Sequence, residues 1–311
     1  MRSETSALGV KIIFMGTPDY AGRILQKIIG TKGMDVVAVY TQPDKPVGRK
    51  KLLTPPIVKT IAFQNGIAVY QPNRLREEDT IKELKNIECD YIIVAAYGQI
   101  LPPEVLQHAP CINLHASILP LYRGASPIQQ ALLNGDTKTG VTAMLMDEGL
   151  DTGDIIKIKE IDIGKEEMSE SLFDRLTDVA CELTIDVLEN FNSYPHVKQD
   201  ELASSHCKKI SKQDGEVEFD DATRLFNKYR AFTPWPGIYL SSGLKLKKIE
   251  LIENESQNES GKILDLEKDG ILVGCKKGTI KVLSVQPESK NEMDALSYIN
   301  GKRVTIADTL S

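Results

Sequence analysis

No stretch of this sequence approaches the roughly 20 consecutive apolar residues that a helix needs to cross a bilayer. The opening MRSETSALG has no apolar core of the kind a secretion signal carries. A cytoplasmic protein without a membrane partner is expected. Cysteine is sparse: Cys89, Cys111, Cys181, Cys207 and Cys275 contain no C-x-x-C pair and are odd in number. Neither a zinc knuckle nor a disulfide framework follows, so reduced thiols and no metal are expected. Excess positive charge is missing too. With 38 basic against 44 acidic residues the net charge is −6, which excludes coating nucleic acid by bulk charge but allows a local basic patch. The first strand-to-helix turn, FMGTPDYAG, has one glycine, Gly16, and no G-x-G-x-x-G, which argues against a dinucleotide site. GASPI is not the G-x-S-x-G of a nucleophile elbow, and no internal repeat is present.

What is present is an ordinary globular composition in a chain of 311 residues, long enough for two domains. Short apolar runs alternate with helical patterns from the start: KIIFMG (11–16), a helix with Ala21, Ile24, Leu25 and Ile28 on one face, DVVAVYT (35–41), a helix near 56–65, AVYQ (68–71) and a charged helix near 77–86. CDYIIVAAYG (89–98), a short helix near 103–108 and CINLHAS (111–117) continue the series. Such alternation predicts an open, doubly wound, mostly parallel α/β sheet, whose ligands bind at the carboxyl ends of the strands. Ser126, Pro127 and Gln129 predict a capped helix ending at Gly135, and a stripe of Leu172, Leu176, Val179, Leu183 and Val187 predicts a long helix from Ser169.

From 192 to 206 the chain is polar and aperiodic, as a linker is. Beyond it come short alternating runs with glycine punctuation (GIYL, LKLKKIELI, GKILDLE, GILVGC, GTIKVLSV), which predict a small β-barrel. The expected division is 1–191, a linker 192–206, and 207–311. ENESQNESG (253–261) is expected as a solvated hairpin tip, and Trp235 as a structural residue rather than a stacking platform.

Asn113 and His115 occupy alternate positions of an otherwise apolar strand, so both side chains face the same way near its carboxyl end. Two readings are open: satisfied core residues, or part of a site. Of the four histidines, only His115 lies at a sheet edge. Asp151, in DEGLDTGD, is a third candidate, and Gly149 and Gly153 beside it are expected to take backbone conformations closed to other residues. An amide donor, an imidazole and a carboxylate are the parts for transfer of an acyl-type group to an amine: Asn113 for the oxyanion, His115 for the proton, Asp151 to orient and charge the imidazole. The long connection TQPDKPVGRKKLLTPP (41–56), with Lys45, Arg49, Lys50 and Lys51, is either a solvated charge run or a contact for a phosphate-rich substrate such as RNA.

NLHASILPLYRGASPIQ followed by TGVTAMLMDEGLDTGDII resembles the signature of the enzymes that transfer the formyl group of 10-formyltetrahydrofolate. KIIFMGTPDYAG, VYTQPDKPVGRKK, CKKISKQDGEVEF and RAFTPWPGIYL are similar to those members whose acceptor is the free amine of methionyl initiator tRNA. The resemblance runs along nearly the whole chain. It implies that Asn113, His115 and Asp151 are catalytic, that Ser117, Ile118, Leu119 and Pro120 line the folate site, and that Gln99, Ile100 and Leu101 lie beside the pterin ring. It implies a basic loop carrying Arg49, Lys50 and Lys51 that reaches the acceptor end of the tRNA. It also implies an OB-like C-terminal domain that holds the tRNA, a folate co-substrate, no metal, and a role in translation initiation; a monomer is expected. Ala116, Leu121 and Tyr122 depart from the family pattern, which often has glycine at the first position and a basic-aromatic pair at the other two. Other formyl-folate enzymes lack this pairing of basic loop and C-terminal domain, and a non-catalytic RNA-binding protein would give the trio no reason to converge.

Overall fold

The computed structural model describes residues 9–48 and 50–310, which divide into two compact units. The first comprises residues up to Gly124 together with Thr139–Ile161 and Asp174–His206; the second comprises Ala125–Lys138, Asp162–Phe173 and the chain from Cys207 onward.

The first unit is built on β1 (Val10–Gly16), α1 (Asp19–Ile29), β2 (Met34–Tyr40), the short β3 (Lys45–Val47) and β4 (Leu52–Thr54), α2 (Ile57–Gln64), β5 (Ala68–Tyr70), α3 (Glu78–Lys85), β6 (Tyr91–Ala95), α4 (Pro103–Leu106), β7 (Cys111–His115) and the two-residue β8 (Arg123–Gly124). The amphipathic pattern of α1 is realised, with Tyr20, Ala21, Gly22, Ile24, Leu25 and Ile28 buried. After α5 (Pro127–Asn134), which belongs to the second unit, β9 (Lys138–Leu145) and β10 (Ile155–Asp162) complete a seven-stranded sheet in the order β10-β9-β7-β6-β1-β2-β5. Its pairs from β5 to β7 are parallel and β9 runs antiparallel to β7. The continuous apolar runs are accounted for by burial: Ile12, Ile13, Phe14 and Met15 of β1 and Ile92 and Ile93 of β6 are essentially inaccessible. The chain leaves β1 for β2 on one side and returns to β6 on the other, so the switch point, where open sheets of this kind bind ligands, lies at the carboxyl ends of β1 and β6. Gly16 ends β1 there, and a Cβ on it would lie 2.5 Å from the Ala21 Cβ and 2.9 Å from the Ala95 carbonyl oxygen. Close packing demands this glycine.

The stripe of α6 (Ser169–Asn190) is buried as expected, from Leu172 to Val187. Residues 192–206 pack on the first unit: Val197 bridges to Ile155, and Gln199 is buried. The two-residue β11 (His206–Cys207) follows.

In the second unit α7 (Ala222–Phe232) packs on α5, and α8 (Ala295–Lys302) lies near the end of the chain. The sequence reading missed both. The strands are β12 (Ile238–Tyr239), β13 (Lys245–Glu253), β14 (Ile263–Glu267), β15 (Gly270–Gly274), β16 (Thr279–Gln286) and β17 (Met293–Asp294), in the order β12-β13-β16-β15-β14 with β17 on β16. These strands pair antiparallel, which is the β-rich domain expected. Because β13 pairs with β16 rather than β14, residues 253–261 are not a hairpin tip. They fold back instead: Glu253 accepts from Glu255 N and Ser256 N, and Asn258 Nδ2 donates to the Gly278 carbonyl at 3.1 Å. Trp235 is 60% exposed and so lies outside the core.

Candidate active site

Asn113 and His115 stand on β7 opposite Met144 and Thr142 of β9. Their shared face meets Asp151 from the turn that follows β9. Asn113 Nδ2 donates to Asp151 Oδ1 at 3.3 Å, the Gly124 N–H donates to Asp151 Oδ2 at 2.8 Å, and His115 Nδ1 lies 3.6 Å from Oδ2. The last distance is too long for a hydrogen bond and suits an ion pair when the ring is protonated. The ring itself is aimed by the Tyr122 carbonyl, 2.9 Å from Nε2. A carbonyl can only accept, so Nε2 carries a hydrogen and Nδ1 is the ring nitrogen that faces the carboxylate. The His115 and Asp151 side chains are 7% and 12% exposed, so the pair sits where charges interact strongly. Asn113 is half-buried and has a second amide hydrogen left for an oxyanion. The sequence-selected trio therefore converges on one carboxylate.

The glycines flanking Asp151 act differently from the expectation. Neither Gly149 nor Gly153 has a left-handed φ; Asp151 itself does, at 55°. Gly153 is needed for contact, since a Cβ there would lie 1.6 Å from the Leu145 carbonyl oxygen. The capping box at the start of α5 is also absent. Ser126 takes the N-cap place with φ −143° and ψ 52°, off the extended geometry that aims a hydroxyl at the helix N–H groups, and its side chain makes no cap hydrogen bond.

Of the residues expected around a folate, Ser117 and Leu119 are buried, and the turn is tied by Thr142, which donates to the Ser117 carbonyl at 2.7 Å and accepts from Leu119 N at 3.1 Å. Ser117 Oγ donates to the Leu121 carbonyl at 2.6 Å. Ile118 and Pro120 are half-buried. Gln99 spends its side chain on its own unit, accepting from Leu75 N and donating to the Pro72 carbonyl, and Leu101 is core. Ile100 is 85% exposed. Ile100, Ile118 and Pro120 thus have apolar side-chain surface to offer a ligand.

The connection 41–56, expected as an irregular loop, contains the antiparallel hairpin β3–β4, in which Lys45 faces Thr54 and Val47 faces Leu52. Every residue of both strands is exposed, as are Lys50 and Lys51 at the turn. Arg49 lies outside the described residues. The base of the hairpin is fixed by Asp44, which pairs with Lys59 at 2.8 Å and accepts from Gln71. Those two bonds hold the Asp44 carboxyl below its ordinary range. Away from the trio, burial pushes Cys111 and Cys275 up to about 12, which leaves neither as a thiolate nucleophile at neutral pH.

Sequence reasoning missed the residues that frame the trio. Tyr122, Arg123 and Gly124 reach the site through a carbonyl, a guanidinium and an N–H, and Gln199 and Glu201 come from the polar stretch 192–206. Arg123 in an apolar context was the only available signal.

A family model described as formyl transferase matches residues 10–188, and one described as formyl transferase, C-terminal domain, matches 209–303. The methionyl-tRNA formyltransferase of Sulfurimonas denitrificans is 75% identical over 302 residues, 97% of this chain and 100% of that protein. The methionyl-tRNA formyltransferase of Nitratiruptor is 54% identical over 96% of this chain and 99% of its own length. Among solved structures, an N-formyltransferase from Helicobacter canadensis, in complex with folinic acid and dTDP-3-aminofucose, superposes with a TM-score of 0.67. It covers 88% of this chain and 99% of its own, at 19% identity, a likeness of fold. On the two domain matches and the full-length identity, the chain belongs to the formyl transferase family.

Proposed function

We propose that this chain transfers the formyl group of 10-formyltetrahydrofolate to the free amine of methionyl initiator tRNA, giving formyl-methionyl-tRNA for translation initiation. The observation that carries the chemistry is the convergence of Asn113 and His115 on the Asp151 carboxylate. The amine attacks the formyl carbon, and the spare N–H of Asn113 stabilises the oxyanion that forms. The attacking nitrogen must lose a proton and the departing folate nitrogen must gain one. His115, exchanging at Nδ1 beside Asp151, carries it between them. The C–N bond to the folate then breaks as the new amide forms, and no covalent enzyme intermediate is needed.

The acceptor is supported by the 75% identity to a methionyl-tRNA formyltransferase and by the exposed cationic hairpin with Lys45, Lys50, Lys51 and the neighbouring Arg49. Ile100, Ile118 and Pro120 are the side chains we assign to the folate, with Ser117, Leu119, Gln99 and Leu101 shaping the wall behind them. Among the described residues no helix is long and apolar enough to cross a membrane; we read the protein as a cytoplasmic monomer. The test is formyl transfer by His115→Ala, expected to fall about a hundredfold or more, as for a positioned acid or base. Full-rate transfer by that variant would overturn the assignment.

A further inference from the structure

We propose that Gln199 is the positioning residue for Asp151, holding the left-handed backbone from which its carboxylate reaches Asn113 and His115. This rests on the reading of Asp151 as catalytic. A φ of 55° is one that residues with a side chain seldom adopt, and it persists only where the surroundings over-determine it. The carbonyls of Asp151 and Gly153 both turn to a single amide: Gln199 Nε2 donates to the first at 2.9 Å and to the second at 2.8 Å, which occupies both of its hydrogens. The far side of that amide is fixed as well. Arg123 Nε donates to Gln199 Oε1 at 3.0 Å, and because a guanidinium only donates, the amide cannot turn over. Arg123 is 1% exposed, and its two terminal nitrogens bind both oxygens of Glu201 at 2.9 and 2.7 Å, a fork that locks its orientation. Gln199 is 9% exposed, so the chain of bonds from Glu201 to the Asp151 backbone is shielded from competing water at its centre. The same short run closes the frame from the other end: the Tyr122 carbonyl accepts from His115 Nε2 and the Gly124 N–H donates to the Asp151 carboxylate. A stretch with the composition of a linker thus controls the geometry of the reaction.

The test is a double-mutant cycle of Gln199→Ala and Asp151→Asn on formyl transfer to methionyl-tRNA, with KM for both substrates and thermal unfolding followed in parallel. The expected result is a kcat about 10- to 100-fold lower for Gln199→Ala with little change in either KM, as when a supporting bond to a reacting group is removed. Combined with Asp151→Asn, it should add almost nothing, because its effect passes through Asp151. Gln199→Glu, which keeps the acceptor for Arg123 while losing both donors, should show the same loss and stands in if the alanine variant does not fold. Native kcat in the Gln199 variants, or a full further loss on top of Asp151→Asn, would overturn the proposal. Native kcat in Asp151→Asn alone would instead overturn the reading of Asp151.

Discussion

Gly153→Ala should damage catalysis through geometry alone, without removing any polar side chain. A Cβ at 153 would stand 1.6 Å from the Leu145 carbonyl oxygen and 2.8 Å from its carbon, both backbone atoms at the end of β9. Real Cβ contacts do not fall below 3.0 Å, so lengthening this one from 1.6 Å requires about 1.4 Å of movement. Since β9 is clamped in the sheet, the turn carrying Asp151 must give way. Overpacking of this kind costs about 1–3 kcal/mol of stability. The larger effect is on rate. A shift of even 1 Å at Asp151 removes its 2.8 Å bond from Gly124 and its approach to His115, and misplacement on that scale costs about 100-fold in turnover. Gly149→Ala is the comparison: its nearest clash is the Thr152 hydroxyl at 2.0 Å, the end of a side chain that can rotate, so a smaller loss is expected. Single-turnover formyl transfer gives the rate and urea unfolding the stability. A Gly153→Ala enzyme as fast as the native one would refute the claim that this turn sets the active geometry.

Replacing Lys50 and Lys51 together by alanine should raise KM for methionyl-tRNA and flatten its dependence on salt, with donor binding unchanged; unaltered salt dependence would return the hairpin to a solvated charge run. Glu253, held down to about 2 by hydrogen bonds from Ser256 and Glu255, stabilises the second unit fully above the ordinary value of 4.5, and that contribution fades as the pH falls toward 2. Acid unfolding of Glu253→Gln should therefore show a deficit at neutral pH that closes near pH 2, and a constant gap would contradict this. Glu201→Ala, which takes the exposed carboxylate partner from buried Arg123, should lower the thermal unfolding midpoint, and an unchanged midpoint would contradict this.

The sheet of the first unit was legible because strands buried on both faces must be apolar throughout, as 91–95 are, and because helices between them carry the 3.6-residue period. Asn113 and His115 stood out for a related reason: polar side chains at alternate positions of an otherwise apolar strand need partners, and Asp151, picked out by its glycine-flanked turn, faces both. The frame around them was not legible. Gln199 acts through an amide in a stretch without period, and Tyr122 and Gly124 contribute backbone atoms that no residue type announces. Helix α7 was hidden because its buried face includes Asn227 and Arg230, the latter donating to Asn227 at 2.6 Å and to the Gly164 carbonyl. Polar residues on a core-facing stripe erase the signal that periodicity supplies. The hairpin β3–β4 escaped notice because its strands are three residues long and wholly exposed, so no alternation marks them.

The central claim is tested most directly by offering the purified protein 10-formyltetrahydrofolate with methionyl initiator tRNA in one reaction and a nucleotide-linked amino sugar in another. Formyl-methionyl-tRNA formed rapidly, with the sugar amine left unmodified, is the expected result. Formylation of the sugar amine alone would contradict the proposed acceptor while leaving the trio in place, and no transfer to either would contradict the account as a whole.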